Sequence, residues 1–344
     1  MLSYEEFCEK VEKEMVQYMT QEYHNAVFKL VDVIKENDEK HTSLEMETEQ
    51  NIIPNLYLEE CYRVYQKTGN IEATMQLMAH KYQESMNQGE KNIGFDISDY
   101  EQVKERLFLS VLNKEKNEQY IQNSCYKEVP GTDLAAVTKI LCHRNEEEQA
   151  VIPVNENYLS VWGVSKEEIY EQALINTPKL FPPELMNMGD VITYLSLMEE
   201  IDPNAVSFLQ NMDASEESMQ YVLSPQEMYV LSNKQKLNGA TVLLYPETLQ
   251  NIAEREGSNF LILPSSIHEL ILVKDTGSLC VQELQEMVIS VNRTTLHPEE
   301  FLSDEIYCYD CQEHRISMVT EREQTKNRIE EYMEEDEMEF EEER

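Results

Sequence analysis

Apolar positions near the start of the chain recur at helical spacing, with Phe7, Val11, Met15 and Tyr18 on one stripe and charged residues between them. Ser3 and Glu6 precede that stripe as a Ser-x-x-Glu capping box, in which each side chain satisfies a backbone donor of the other residue, so a helix is predicted from Ser3 onward. The period then changes to two. Ala26–Ile34 is rich in strand formers, Asn37-Asp38 is a turn signal, and Thr42, Leu44 and Met46 alternate with Ser43, Glu45 and Glu47, which predicts a β-hairpin with one solvated face. After Pro54 the spacing is helical again, first through Leu58, Cys61, Tyr62 and Tyr65 up to Gly69, then through Ile71, Met75, Met78 and Tyr82. A second box, Ser98/Glu101, opens a predicted helix presenting Val103, Leu107 and Val111.

Beyond residue 116 the pattern is strand-like at Ala135–Leu141 and Gln149–Val154, and a third box, Ser165/Glu168, starts another helix. Ala240–Tyr245 reads as a buried strand, Pro246–Arg255 as a helix ended at Gly257, and Phe260–Leu263 with Glu269–Val273 as two strands around a tight turn. Gln282–Val291 is a predicted helix and Ile306–Tyr309 the final strand. Strands and helices interleave without a regular βαβ period, which makes the expected class α+β: N-terminal helices with a β-hairpin, then a C-terminal mixed sheet flanked by helices. The expected domains are residues 1–116, residues 117–320, and an acidic tail over 321–344. That tail ends in EEYMEEDEMEFEEER, whose like charges four apart oppose a helix, so a disordered or frayed extension is expected.

Charge changes the functional picture more than the fold. Against 67 acidic residues stand 28 basic ones, a net charge of −39 on 344 residues. Such a surface repels phosphate backbones and anionic headgroups over roughly a Debye length, about 8 Å at physiological salt, which argues against direct nucleic-acid or membrane binding. With 41 % apolar residues, 19 Tyr and 17 Met, the chain has the material for a folded core. No apolar run approaches the roughly 18 residues of a membrane span, and the charged, amphipathic start does not resemble a signal peptide. Seven cysteines, an odd number scattered from Cys8 to Cys311, fit a reducing, cytoplasmic setting. Only 9 glycines are present, and no GxGxxG. The nearest phosphate-loop spacing, Gly89 to Gly94, continues Phe95-Asp96 where Lys and Ser/Thr must follow, and reads as a helix-ending turn. No cofactor is expected.

Three clusters hold candidate chemistry. In Leu263-Pro264-Ser265-Ser266-Ile267-His268-Glu269, the hydroxyls of Ser265 and Ser266, the His268 imidazole and the Glu269 carboxylate could supply nucleophile, base and orienter. Geometry argues against that reading, and the flanking strands and Pro264 favour a structural turn. Cys308-x-x-Cys311-x-x-His314 has zinc-ligand spacing but lacks a second pair, unless Cys142-His143 completes it. His297, Glu299, Glu300, Asp304 and Glu305 form a carboxylate-rich stretch that could bind a divalent cation. Trp162, in LSVWGV, reads as a core residue rather than a stacking platform.

The blocks IIPNLYLEECYRVYQKTGNIEA (Ile52–Ala73), LILPSSIHELILV (Leu261–Val273) and VNRTTLHPEEFLSDEIYCYD (Val291–Asp310) resemble an uncharacterised bacterial family known only as a domain of unknown function. PSSIHE and the VN…LSD…Y-Y pattern are the most specific parts, and the resemblance brings no activity with it. The C-terminal half is also similar in pattern to a second uncharacterised bacterial family of smaller α+β proteins, which bears on fold alone. Three functional readings follow. The first is a non-enzymatic acidic binding or accessory protein with a basic protein partner, the second a nucleic-acid mimic inhibiting a DNA-binding protein, and the third an enzyme centred on the PSSIHE turn.

Overall fold

Ser3 caps the first helix in the computed structural model, its Oγ accepting from the Glu6 N–H at 3.2 Å while its own N–H donates to Glu6 Oε2 at 2.8 Å. The structure describes residues 1–47, 55–92, 94–144, 149–192, 223–224 and 227–320. The expectation for the acidic tail therefore lies outside the described residues. The chain divides into two units, Met1–Val103 with Leu141–Val151, and Lys104–Ile140 with Ile152–Arg344.

In the first unit, α1 (Tyr4–Glu14) is followed by β1 (Phe28–Ile34) and β2 (Lys40–Met46), paired antiparallel from Phe28 opposite Met46 to Ile34 opposite Lys40. The hairpin turns through Asn37 and Asp38, both at positive φ, as the turn signal predicts. The two-residue β3 (Leu56–Tyr57) pairs with β2. Ser43, expected on a solvated face, is buried and donates to Asn55 Oδ1 at 3.3 Å. α2 (Leu58–Thr68) stops at Gly69, and α3 (Ile71–Asn92) runs through Gly89. The predicted stripes meet in one core: Phe7 and Val11 from α1, Met15 from the 3-10 turn that follows it, Leu44 from β2, Leu58 from α2, and Met75, Met78 and Tyr82 from α3.

The predicted helix after Ser98 is mostly a strand. Its box does not form: Ser98 N–H and Oγ both bond Asp96 Oδ1, at 2.9 and 2.7 Å, and Asp99 Oδ1 takes the Glu101 N–H at 3.0 Å. Only α4 (Tyr100–Val103) and a 3-10 turn precede β4 (Leu107–Asn113), which is buried at every position. α5 (Glu118–Gln122), β5 (Tyr126–Glu128), β6 (Leu134–Arg144) and β7 (Gln149–Pro153) follow. They form a sheet in the order β4-β6-β5, with β7 also beside β6.

α6 (Glu156–Trp162) and α7 (Lys166–Leu180) come next, the latter opened by the Ser165/Glu168 box as predicted. The second sheet contains β8 (Pro183–Asn187), β9 (Met228–Asn233), β10 (Phe260–Ser266), β11 (Glu269–Lys274), β12 (Tyr307–Asp310) and β13 (Arg315–Met318). Between these strands come α8 (Pro246–Glu256) and α9 (Val281–Thr294). The strand order is β13-β12-β10-β11-β9-β8 and every pairing is antiparallel, so the class is α+β but this sheet is not mixed.

Alternation sorts the second sheet's faces. Phe260, Ile262, Leu270, Leu272 and Tyr307 share one core with Val111, Leu134 and Ala136 of the first sheet and with α8. Leu261, Leu263, Ile271, Val273 and Cys308 face the other way, against Val288 of α9. Ala240–Tyr245, predicted as a strand, belongs instead to a buried 3-10 segment, Gly239–Leu244. From it the Thr241 hydroxyl takes the Val111 N–H at 3.2 Å, while Thr177 of α7 takes the Leu109 N–H at 3.0 Å. Side chains thus satisfy the amides on the edge of β4 that no strand reaches among the described residues.

Candidate functional site

The PSSIHE sequence forms the tip of the β10–β11 hairpin. Ser266 pairs with Glu269, leaving Ile267-His268 as a two-residue turn, and a register shift between Pro264 and Ser266 makes Ser265 a bulge. Pro264 is tolerated in an interior strand because β12 pairs only with Phe260–Ile262 and does not reach it.

The turn's polar groups are engaged one by one. Ile267 N–H donates to the Glu300 carbonyl at 2.9 Å, and the Ile267 carbonyl accepts from Ala240 N–H at 3.2 Å. His268 N–H donates to Ser266 Oγ at 3.0 Å, and the His268 carbonyl accepts from Ser232 Oγ at 2.7 Å. Asn238 N–H donates to His268 Nδ1 at 3.1 Å, so the neutral ring carries its proton on Nε2. That nitrogen is 3.9 Å from Glu300 Oε1.

An outside carboxylate therefore faces the imidazole, as an orienter would. The nucleophile does not join it. Ser265 Oγ donates to Glu269 Oε1 at 3.2 Å and Ser266 Oγ accepts from the His268 backbone, so neither hydroxyl bonds the ring. Lys236, on the loop before the 3-10 segment, is ion-paired with Glu184, whose side chain is 7 % exposed.

A second constellation lies deeper in the same unit. Asp133 accepts from Tyr307 OH at 2.5 Å, from Ser303 Oγ at 2.8 Å and from Asn113 Nδ2 at 2.7 Å. Burial, with the Asp133 carboxylate beside it, pushes the Tyr307 phenol well above its ordinary value. Asn292 bonds the Ser303 carbonyl at 3.0 Å and Asp304 Oδ1 at 2.8 Å. Residues of the VN…LSD…Y-Y block thus close on Asp133, tying the second sheet to the loop ahead of β6. What this carboxylate does is organise three neutral donors, a structural role.

Over residues 4–311 the chain matches the family described as a family of unknown function, DUF5688. The chain belongs to DUF5688. No curated protein and no solved structure matches it.

Within this DUF5688 chain the other candidates do not assemble into sites. Cys308 is buried on the α9 face of the second sheet, while Cys311 packs against the opposite core and His314 meets Tyr309 OH at 3.4 Å. The cysteine pair therefore cannot clasp one zinc ion from the same side. Glu300 turns to His268, Asp304 to Asn292, and Glu305 to the Thr320 hydroxyl at 3.3 Å, so the carboxylate stretch around His297 and Glu299 is divided among separate partners. Among the described residues no group of three or more His, Cys, Asp or Glu side chains is placed to hold a metal ion.

Cys142 and His143 lie on β6, and none of the seven cysteines is in a disulfide. Trp162 is not in the core: it ends the short α6, half-buried, stacked on Tyr158 with ring centroids 5.1 Å apart. Among the described residues no helix is long and apolar enough to cross a membrane. The sequence reading missed Ser232, Asn238 and Gly239, although Asn238-Gly239 is itself a turn signal. It also missed Asp133, which no local pattern marks.

Proposed function

We propose that this DUF5688 protein is a non-catalytic, acidic binding or accessory protein that engages a basic protein partner in the cytoplasm. The observation that carries this reading is the excess of 67 acidic over 28 basic side chains. The hairpin's hydrogen bonding supports the non-catalytic part, because both serine hydroxyls and the His268 backbone serve the turn. Seven cysteines with no disulfide among them suit a reducing compartment. A surface of one sign accelerates encounter with an oppositely charged partner and repels nucleic acid and anionic lipid, and both effects weaken as salt is raised.

The test is affinity capture on the immobilised full-length chain, followed by a salt gradient. Retained proteins should be basic and should elute as the Debye length falls towards about 3 Å near 1 M salt. Neutral or acidic partners, or retention indifferent to salt, would remove the electrostatic reading.

A further inference from the structure

α7 and α8 border an open cavity of about 910 Å³, in the upper part of the roughly 300–1,000 Å³ range of small-molecule sites. Part of its lining is aliphatic, with Leu174, Ile175 and Pro178 from α7 together with Pro183 and Pro246, and the rest is polar, Arg255 of α8 included. Ile175 is 56 % exposed, a large apolar side chain left facing water on a helix that buries Ile169 and Ala173.

Two polar groups on the lining lack partners. Lys179 has no carboxylate within ion-pair distance among the described residues, whereas Lys127, Lys166, Lys236 and Lys274 of the same unit are each paired. Thr248 is only 7 % exposed, yet its hydroxyl makes no hydrogen bond among the described residues. Its oxygen is not among the sealed, unpartnered polar atoms of the described residues, so it stays within reach of a molecule in the cavity that Thr248 lines. Thr248 is the third residue of α8, an 11-residue helix whose start has no side-chain cap; Pro246 has no N–H and the Thr248 N–H donates to the Tyr245 carbonyl at 3.2 Å, which leaves the Glu247 amide and the positive end of the helix dipole beside that hydroxyl.

We propose that this cavity binds a small apolar molecule bearing one carboxylate. The carboxylate is held by Lys179, the Thr248 hydroxyl and the Glu247 amide at the start of α8, and the hydrocarbon lies along Leu174, Ile175 and Pro178. Glu247 and Glu254 border the cavity together with Lys179 and Arg255, a balanced set that tolerates one added negative charge better than two, which favours a carboxylate over a phosphate. The site goes beyond the partner-binding reading and stands independently of it.

Titrating the full-length chain with decanoate, decanol, decylamine and decyl phosphate by calorimetry tests it. Decanoate should bind saturably and at least about tenfold more tightly than each of the others, the worth of one charge-assisted hydrogen bond. Lys179→Gln and Thr248→Val should each weaken decanoate about tenfold without changing decanol. Because Lys179 and Ile175 are exposed, Lys179→Gln and Ile175→Glu should keep the wild-type circular dichroism, and Ile175→Glu should abolish binding of all four probes. Absence of saturable decanoate binding, equal binding of decanol, or full decanoate affinity in Lys179→Gln would overturn the proposal.

Discussion

Gly239 shows how closely the PSSIHE turn is held. A methyl group built there would collide with Ser232 Oγ and with the His268 carbonyl oxygen, the two atoms of the bond that clamps the turn. Gly239→Ala must therefore displace either β9 or the hairpin tip, and it is expected to cost about 2–4 kcal/mol, at or above the usual cost of overpacking. Gly69→Ala is the control. Nothing lies within 4 Å of the added methyl there, and the cost should be only the about 1–2 kcal/mol of a left-handed alanine at φ 66°. Urea unfolding of both variants decides between them. Equal losses would mean that the turn is loosely held and that its polar groups are free for other work. The same clamp explains why the hairpin's chemistry was misleading in the sequence: the serines and histidine are adjacent along the chain, but Ser232, Asn238 and Glu300, which claim His268, come from three separate stretches.

At the scale of elements, local signals were legible where they agreed with packing. The boxes at Ser3 and Ser165 form, the Asn37-Asp38 turn forms, and the stripes of α1, α2 and α3 meet in one core. The box at Ser98 has the same residue types and fails. Val103, Leu107 and Val111 are spaced by four, a step compatible with both the helical and the strand period, and the neighbouring Phe108, Leu109 and Leu112 are buried as well. A segment apolar on both faces satisfies a strand buried on both faces better than an amphipathic helix. Ala240–Tyr245 misled in the opposite direction: an apolar run long enough for a strand became a buried 3-10 segment, because Thr241 is needed to meet the Val111 amide. Ser3→Ala and Ser165→Ala should each cost about 1 kcal/mol, the worth of an N-cap, whereas Ser98→Ala should stay within about 0.5 kcal/mol, as an exposed substitution does. Thermal denaturation of the three variants is sufficient, and a loss at Ser98 matching the other two would restore the capped helix.

For the whole molecule, a net charge of −39 and a sequence pI near 4.4 set two opposing pH effects. Lowering the pH from 7 removes negative charge and relieves the self-repulsion that strains any compact state this acidic. Glu59 acts the other way. Burial pushes its carboxyl up, but the Thr42 amide at 2.8 Å, the Tyr4 hydroxyl at 2.7 Å and His41 at 3.5 Å outweigh that and hold it below its ordinary value. A carboxyl whose folded pKa is depressed contributes stability that is complete above its unfolded pKa, about 4.3, and that is lost as pH falls through the lower folded value. Stability should therefore rise as pH falls from 7 to about 5 and then decline below about 4. Added salt should raise the melting temperature at pH 7 more than at pH 5, since screening matters most where the charge is greatest. Glu59→Gln should be less stable at neutral pH yet show a shallower acid decline, because it removes one of the groups that titrates there. A melting temperature that falls steadily from pH 7 downward and ignores salt would mean that the carboxylates are paired within the fold, and the long-range repulsion and attraction assigned to this surface would lose their source.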